Sequence, residues 1–461
     1  MTLSSQPIFP EGAFLSGLFT ALHESCIRYA VLRNYETLPY SVGGSDLDIL
    51  VHPDDAERAK RIIFQAVGHA GGIVLGLAET VGFLKISTLG CYTSSNNELL
   101  WWGILIDFFY EVVRFDGASQ FFEFDWKTVK YHNGIAVVPG NTAAVLGVVK
   151  EVLYNSKLPE RYLEVARQSI TTHWGSLSSS LSPMGTKALC LFRQLLADMP
   201  ARGELAVRCA SIRKALRCHA FEHGPLLYVK RRASFEWSKL RRYIAPSGLV
   251  ISVLGVDGSG KSTVINSIKP ILDAATHKAT FIQHLRPSLL PPLAWLKGKA
   301  DEPTGPVLDP HSSTPSGLLG SFLRVTYLTL DYIFGYWLLI RPKIAKKTSI
   351  VLFDRYAYDM LLDPLRFRLG IGLRVIEIFL RLIPKPDVVL CLHAKPDAIM
   401  ARKQELSLTE ITRQVNALYE LAQREAQAIL VSTEGSVDEV RDQVLKVLMD
   451  FFKRRGGNEN D

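Results

Sequence analysis

The chain of 461 residues has little cysteine: Cys26, Cys91, Cys190, Cys209, Cys218 and Cys391, with no C-x-x-C pair and no zinc-ligand spacing. That excludes a disulfide framework and a cysteine-built zinc module, and it fits a reducing cytoplasm. An apolar run of spanning length is also missing. Val325 to Ile340 comes nearest, but Asp331 interrupts it, Arg324 precedes it and Arg341 closes it, and it is shorter than a spanning helix needs. The expectation is a helix buried against a sheet, with peripheral contact to a bilayer left open. The opening MTLSSQPIFPEGAF has no basic stretch leading into an apolar one, so no secretory leader is read there. No internal repeat and no nucleic-acid reader motif is found, so nucleic acid is not an expected partner.

What the chain does have is a globular composition, 48% hydrophobic and 21% charged. Its length predicts two or three domains, each with room for a sizeable core. The 53 basic against 45 acidic residues give a net charge of +8. This suits an anionic partner such as nucleotide phosphate, a membrane surface or an acidic glycan.

Over residues 1–125, strand-like runs (IRYAVLR, DLDILVH, GILIDFFYEVV) alternate with a helical one, PDDAERAKRIIFQAV, whose Pro53 and Asp54 are a start signal. This predicts an α+β domain. Residues 126–245 follow as a helical extension ending in a basic, aromatic stretch, Tyr228 to Gly248. That stretch is a solvated linker helix or a contact for membrane or anionic polymer. Pro246, Ser247 and Gly248 mark a boundary. Over 246–461 the continuous apolar runs LVISVLG, TSIVLFD, PDVVLCLHA and AILVST alternate with helical stretches. Such runs belong to parallel strands buried on both faces, so the fold class is α/β with a doubly wound parallel sheet.

GVDGSGKST, Gly255 to Thr263, satisfies G-x-x-x-x-G-K-[ST] between an apolar strand and a helix. Gly255, Gly258, Ser259 and Gly260 let backbone N–H groups converge on phosphate oxygens, and the helix start adds partial positive charge. Lys261 reaches the β- and γ-phosphates, and Ser262 and Thr263 close the loop, with the Ser262 hydroxyl a Mg²⁺ ligand. ATP and Mg²⁺ are the expected cofactors.

From 249 to 452 the chain resembles the thymidylate kinase family, on GVDGSGKST, IRPKIAKKTSIVLFDRY, PDVVLCLHAKPDAIMARK and ILVSTEGSVDEVRDQV. The resemblance implies that Asp257 faces the acceptor. It implies that Asp354 and Arg355 sit by the transferring phosphoryl group, with Asp354 near the metal. It also implies that a lid carries Arg402, Lys403 and Arg413 over the phosphates. Departures concern the acceptor. The family's Asp-Arg pair before I-R-P is Asp331-Tyr332 here, the serine after DRY is replaced in DRYAYD, and a proline-rich stretch runs from His284 to Gly317. A second phosphate needs fixed cations, for which Arg286, Arg366 and Arg368 are candidates. Without them, a sugar, glycan or lipid-linked hydroxyl is the expected acceptor, with His284 or Asp257 as general base.

GGSDLDILV, Gly43 to Val51, places Asp46 and Asp48 two apart on a strand and so on one face. Asp107 in ILIDFF is a third carboxylate from a neighbouring strand, and three such groups make a metal site for nucleotidyl transfer. The pattern resembles the minimal nucleotidyltransferase family, of the kind associated with surface-polysaccharide synthesis. Where that family has its Gly-Ser turn, this chain has Arg33-Asn34, and the N-terminal activity stays open. Three readings of the whole follow: a hydroxyl kinase, a dTMP or nucleotide kinase, and an ATP-binding assembly protein. A cytoplasmic location is expected, and oligomer formation stays open.

Overall fold

The computed structural model describes residues 9–457 except 81, 95, 111–112, 199–202, 292–315 and 347. The chain forms two compact units, Met1–Arg241 and Arg242–Asp461.

The first unit is built on a mixed sheet. Its strands are β1 (Tyr29–Val31), β2 (Leu47–Val51), β3 (Gly72–Thr80), β4 (Phe83–Thr93), β5 (Leu99–Phe109), β6 (Val113–Arg114), β7 (Gln120–Phe122), β8 (Lys130–His132) and β9 (Ile135–Val137). Seven of them lie in the order β3-β4-β5-β2-β1-β9-β8, and β6 pairs with β7 apart from these. The β2–β5 and β1–β9 pairs are parallel, and the other pairs of the large sheet are antiparallel. The helices Gly12–Glu24 and Ala56–His69 bury Phe14, Leu18, Ala59 and Ile63 in the same apolar cluster as Ile49, Ile86, Ile104 and Ile106. Phe14 stacks on Trp102 at 4.8 Å. The indole lies so close to Gly90 that a Cβ there would meet it at 2.3 Å, which explains a glycine inside β4.

Among the described residues six α-helices follow: Gly140–Asn155, Glu160–Thr172, Trp174–Leu181, Thr186–Ala197, Glu204–Glu222 and Pro225–Ile244. The first is apolar nearly all round and buries Ala143 to Val149 without a break. It is therefore the centre of a second core with Phe121, Phe122, Phe192, Cys209 and Leu216.

The second unit is a parallel five-stranded sheet. Its strands are β10 (Leu249–Gly255), β11 (Thr280–His284), β12 (Ile350–Asp354), β13 (Val388–His393) and β14 (Ala428–Ser432), in the order β11-β12-β10-β13-β14. Every pairing in it is parallel. β10 is buried along its whole length, as its unbroken apolar run requires. The chain steps from β10 to the edge, returns through β12 and crosses to β13. The C-terminal ends of β10, β11 and β12 therefore meet on one edge, where such sheets bind ligands.

The interrupted apolar stretch becomes the helix Leu318–Gly335, continued by a π-helical turn, Tyr336–Ile340. It buries Val325, Leu328 and Tyr332 and leaves Leu319, Leu323, Phe334 and Leu338 exposed. Among the described residues no helix is long and apolar enough to cross a membrane. Most of the proline-rich stretch lies outside the described residues.

Candidate active site

β10 ends at Gly255 and the helix Lys261–Thr276 begins six residues later. The turn between them is tight. A Cβ on Gly255 would come within 2.7 Å of the Leu392 carbonyl oxygen. Gly258, at φ +89°, has the Ile399 carbonyl oxygen and the Lys403 Cβ each 3.1 Å from where its own Cβ would stand. Only glycine takes that backbone without strain. The helix start leaves the N–H groups of Lys261, Ser262 and Thr263 without intrahelical acceptors, and the Ser262 and Thr263 side chains are exposed. Lys261 is buried, and its Nζ donates to the Gly255 oxygen at 2.9 Å and the Val256 oxygen at 3.0 Å. Burial, reinforced by the charge of Arg355, brings its pKa down to about 8.

Asp257 is the hub of the site. It is paired with Lys261 at 3.4 Å, with Arg366 at 2.7 Å, and with the Nη2 of Arg355. Burial alone would raise its pKa, but the charges of Lys261, Arg355 and Arg366 hold it well below the ordinary carboxylate range. Arg355 follows β12 directly and is held at φ +74°, a backbone that a long side chain adopts only when its surroundings fix it. What fixes it is Asp359, fully buried, which accepts from Arg355 Nη1 at 3.1 Å and from the Tyr356 N–H at 3.0 Å. Burial pushes the Asp359 carboxyl up despite that arginine. Asp359 was not singled out in the sequence, although its place four residues after Arg355, where the resemblance expects serine, was a usable signal.

Asp354 ends β12. Its Oδ1 is buried with no hydrogen-bond partner, and its Oδ2 lies 3.5 Å from Nδ1 of His284. The register pairs the two residues directly across β11 and β12. Burial opposes ionisation of Asp354, but His284, Lys261 and Arg355 together lower its pKa. His284 itself is 70% exposed, so its ring faces the open edge of the site.

Asp331 is fully buried, pairs with Arg286 at 3.0 Å and accepts the N–H groups of Ser288 and Leu290. The Tyr332 hydroxyl donates to the Leu285 oxygen. These two positions thus fasten the segment after β11 to the helix Leu318–Gly335, and Arg286 is committed to that fastening. Two further cations do not join the cluster around Asp257. Arg402 donates to the Thr433 oxygen at 2.8 Å, and Arg413 donates to Glu410 and to the Leu362 oxygen. A cavity of about 660 Å³ lined by Arg167, Trp174 and Arg193 contains none of the candidate residues.

In the first unit Asp46, Asp48 and Asp107 each bring an oxygen within 4.8 Å of the others, and all three are buried. The parallel β2–β5 register sets Asp48 opposite Asp107. Three cations answer them. Arg33 pairs with Asp48 and, at 3.5 Å, with Asp46. Lys85 pairs with Asp107 from the opposing position of β4, and Lys150 lies 3.9 Å from Asp48. Burial raises the Asp107 pKa even against Lys85, with Asp48 and Asp46 adding to the rise. The glycine run is a turn at Gly43 and Gly44, φ +62° and +73°, that delivers Ser45. The Ser45 hydroxyl bonds Asp46 at 3.1 Å and accepts from Asn34 at 2.9 Å. Lys85 and Lys150 were invisible in the sequence as partners, because each reaches the cluster from a separate element.

The chain is similar in sequence to a thymidylate kinase. A stretch of 161 residues, 34% of the chain, is 29% identical to the thymidylate kinase of Xanthomonas euvesicatoria pv. vesicatoria (strain 85-10) and spans 62% of that protein. This similarity supports a kinase-like, nucleotide-binding region in a mixed α/β chain. The crystal structure of thymidylate kinase from Ehrlichia chaffeensis aligns with 44% of the chain and 100% of its own, at 16% identity and a TM-score of 0.32. No family model matches the chain.

The residues present suit a hard cation at both places. In the second unit the orphaned, buried Oδ1 of Asp354 and the exposed Ser262 hydroxyl are oxygen donors of the type Mg²⁺ takes. In the first unit the Oδ1 of Asp48, also buried without a hydrogen bond, is the matching feature.

Proposed function

We propose that the second unit is an ATP- and Mg²⁺-dependent phosphotransferase whose acceptor is a hydroxyl, on a sugar, glycan or lipid-linked intermediate. The observation that carries the acceptor class is the Asp331–Arg286 pair. At the position where the resemblance expects an arginine for an acceptor phosphate stands Tyr332, buried with its hydroxyl on the Leu285 oxygen, and the nearby Arg286 is bound to Asp331. Beside it, His284 and Asp354 form an exposed imidazole and a carboxylate at the sheet edge, an arrangement suited to taking a proton from a hydroxyl. Gly255 to Thr263 hold the triphosphate and Ser262 with Asp354 the Mg²⁺, which neutralises phosphate charge when bound. Lys261 and Arg355 stabilise charge on the transferring group. Arg402 and Arg413 act only after leaving Thr433 and Glu410.

A second reading, phosphorylation of dTMP or another nucleoside monophosphate, is favoured by the similarity to the Xanthomonas protein and by Arg366, the more exposed of the two arginines on Asp257. In the first unit we propose a nucleotidyltransferase-like metal site at Asp46, Asp48 and Asp107.

The test is transfer of label from γ-labelled ATP, with Lys261→Ala as control. One arm contains dTMP, and the other a cell extract fractionated into nucleotides, sugars and lipid-linked glycans. Lysine-dependent label in a sugar or glycan fraction is expected. Fast transfer to dTMP overturns the hydroxyl reading, and ATP binding without any transfer overturns both.

A further inference from the structure

We propose that the cavity between the helices Glu160–Thr172 and Thr186–Ala197 of the first unit is a binding site for an organic phosphate with an apolar body. It is separate from the carboxylate cluster and from the phosphate loop, since none of their residues lines it.

Helix periodicity builds the site. Arg167, Ile170 and Thr171 stand three and four residues apart on the first helix, and Leu189 and Arg193 stand four apart on the second, so each set shares a face. Ile170 and Leu196, 7% and 2% exposed, give the cavity an apolar lining. Trp174 opens the short helix between the two, and the Arg193 guanidinium lies over its indole at 4.1 Å. A guanidinium held over an aromatic ring keeps the N–H groups of its rim for an oxyanion.

Charge selects the ligand. The cavity is lined by two arginines and no carboxylate. Among the described residues neither arginine has an ion pair. Arg167 donates from Nε to the Leu196 oxygen at 2.9 Å, which ties the guanidinium to the cavity wall, while its Nη2 is buried and donates to nothing. A covered donor on a charged group is costly when unmet, and an oxyanion in the cavity supplies the missing counter-charge. Two guanidiniums match the two charges of a phosphate monoester, and their forks suit its oxygens. Size adds the second half of the ligand. A volume of about 660 Å³ is that of a site for a small organic molecule and more than a bare phosphate fills. Ile170, Leu189 and Leu196 make the rest of that ligand apolar.

Isothermal titration calorimetry tests this on the full chain carrying Lys261→Ala, in EDTA, so that neither the phosphate loop nor a metal-borne phosphate dominates the heat. The probes are hexyl phosphate, glucose 1-phosphate, inorganic phosphate and hexanol. Hexyl phosphate is expected to bind at least about tenfold tighter than each of the other three. Arg193→Gln and Arg167→Gln are each expected to weaken it by about tenfold or more. Cys190→Glu sets a carboxylate at an exposed position of the lining. It is expected to weaken hexyl phosphate likewise, and it carries the test with Arg193→Gln if thermal unfolding shows Arg167→Gln to be misfolded. Glucose 1-phosphate binding as tightly as hexyl phosphate overturns the apolar body, and hexanol doing so overturns the anion. No binding of hexyl phosphate, or binding that these variants leave unmoved, overturns the site.

Discussion

Arg366 and Asp257, 109 residues apart in sequence, meet at 2.7 Å. Asp257 also holds Lys261 and Arg355, whose side chains are 7% and 8% exposed, whereas that of Arg366 is 30% exposed. Arg366 is thus the cation of the three with the most freedom to turn from Asp257 to a bound acceptor.

Arg366→Gln is therefore expected to lower kcat/KM for the acceptor by about 10- to 100-fold, or about 1.4–2.7 kcal/mol, and to leave the ATP Kd within about twofold. Arg366→Lys recovers part of the loss, because lysine keeps the charge without the planar fork. Steady-state kinetics and ATP titration check this. A parallel loss of ATP affinity would place Arg366 on the donor side.

The depressed pKa of Lys261, about 8 against 10.5 for the free side chain, gives a pH signature. Between these values the unfolded chain holds a proton that the folded chain lacks, so this group's contribution to stability rises as pH climbs from about 8 to 10.5. Phosphate contact needs the ammonium form and weakens over the same window. ATP affinity measured by titration calorimetry is expected to fall about tenfold between pH 7 and 9.5, and Lys261→Arg to remove that fall.

Gly258→Ala puts a Cβ on a residue at φ +89° with two atoms 3.1 Å away. The strain is about 1–3 kcal/mol, and the loop shifts to relieve it. Denaturant unfolding should show the loss, and ATP affinity should drop with it. Unchanged affinity would mean that the loop conformation is not what holds the triphosphate.

Asp331→Ala leaves Arg286 with the Leu290 oxygen but no carboxylate, and takes the acceptor from two backbone N–H groups, around a fully buried position. The expected cost is about 3–5 kcal/mol, while Asp331→Asn, which keeps an acceptor oxygen, costs less. Chemical denaturation separates the two. If the pair only fastens the segment, ATP affinity stays unchanged in Asp331→Asn.

The tight turn from Gly255 to Thr263 between strand and helix was legible because its signal is local: glycines, lysine and hydroxyls within nine residues. The unbroken apolar runs at Leu249–Gly255, Ile350–Asp354 and Val388–His393 announced buried parallel strands for the same reason. Legibility ended where function depends on meetings between distant elements. Nothing near Asp107 in sequence points to Lys85, which faces it only because β4 and β5 pair in that register. Asp331 looked like an interruption of an apolar stretch, and only the fold shows it gathering the 286–290 segment. Arg402 and Arg413 were placed by resemblance alone, and side-chain partners decide where they rest.

Among the described residues β11 is an edge strand, bonded to β12 on one side only, and it carries His284 at its tip. Its amide protons should exchange with solvent sooner than those of β10 and β12, since an edge opens without breaking the rest of the sheet. On the proposed function, the acceptor half of the site is thus the half whose exchange protection a bound acceptor is able to raise, while the proposed donor half is already protected by the centre of the sheet.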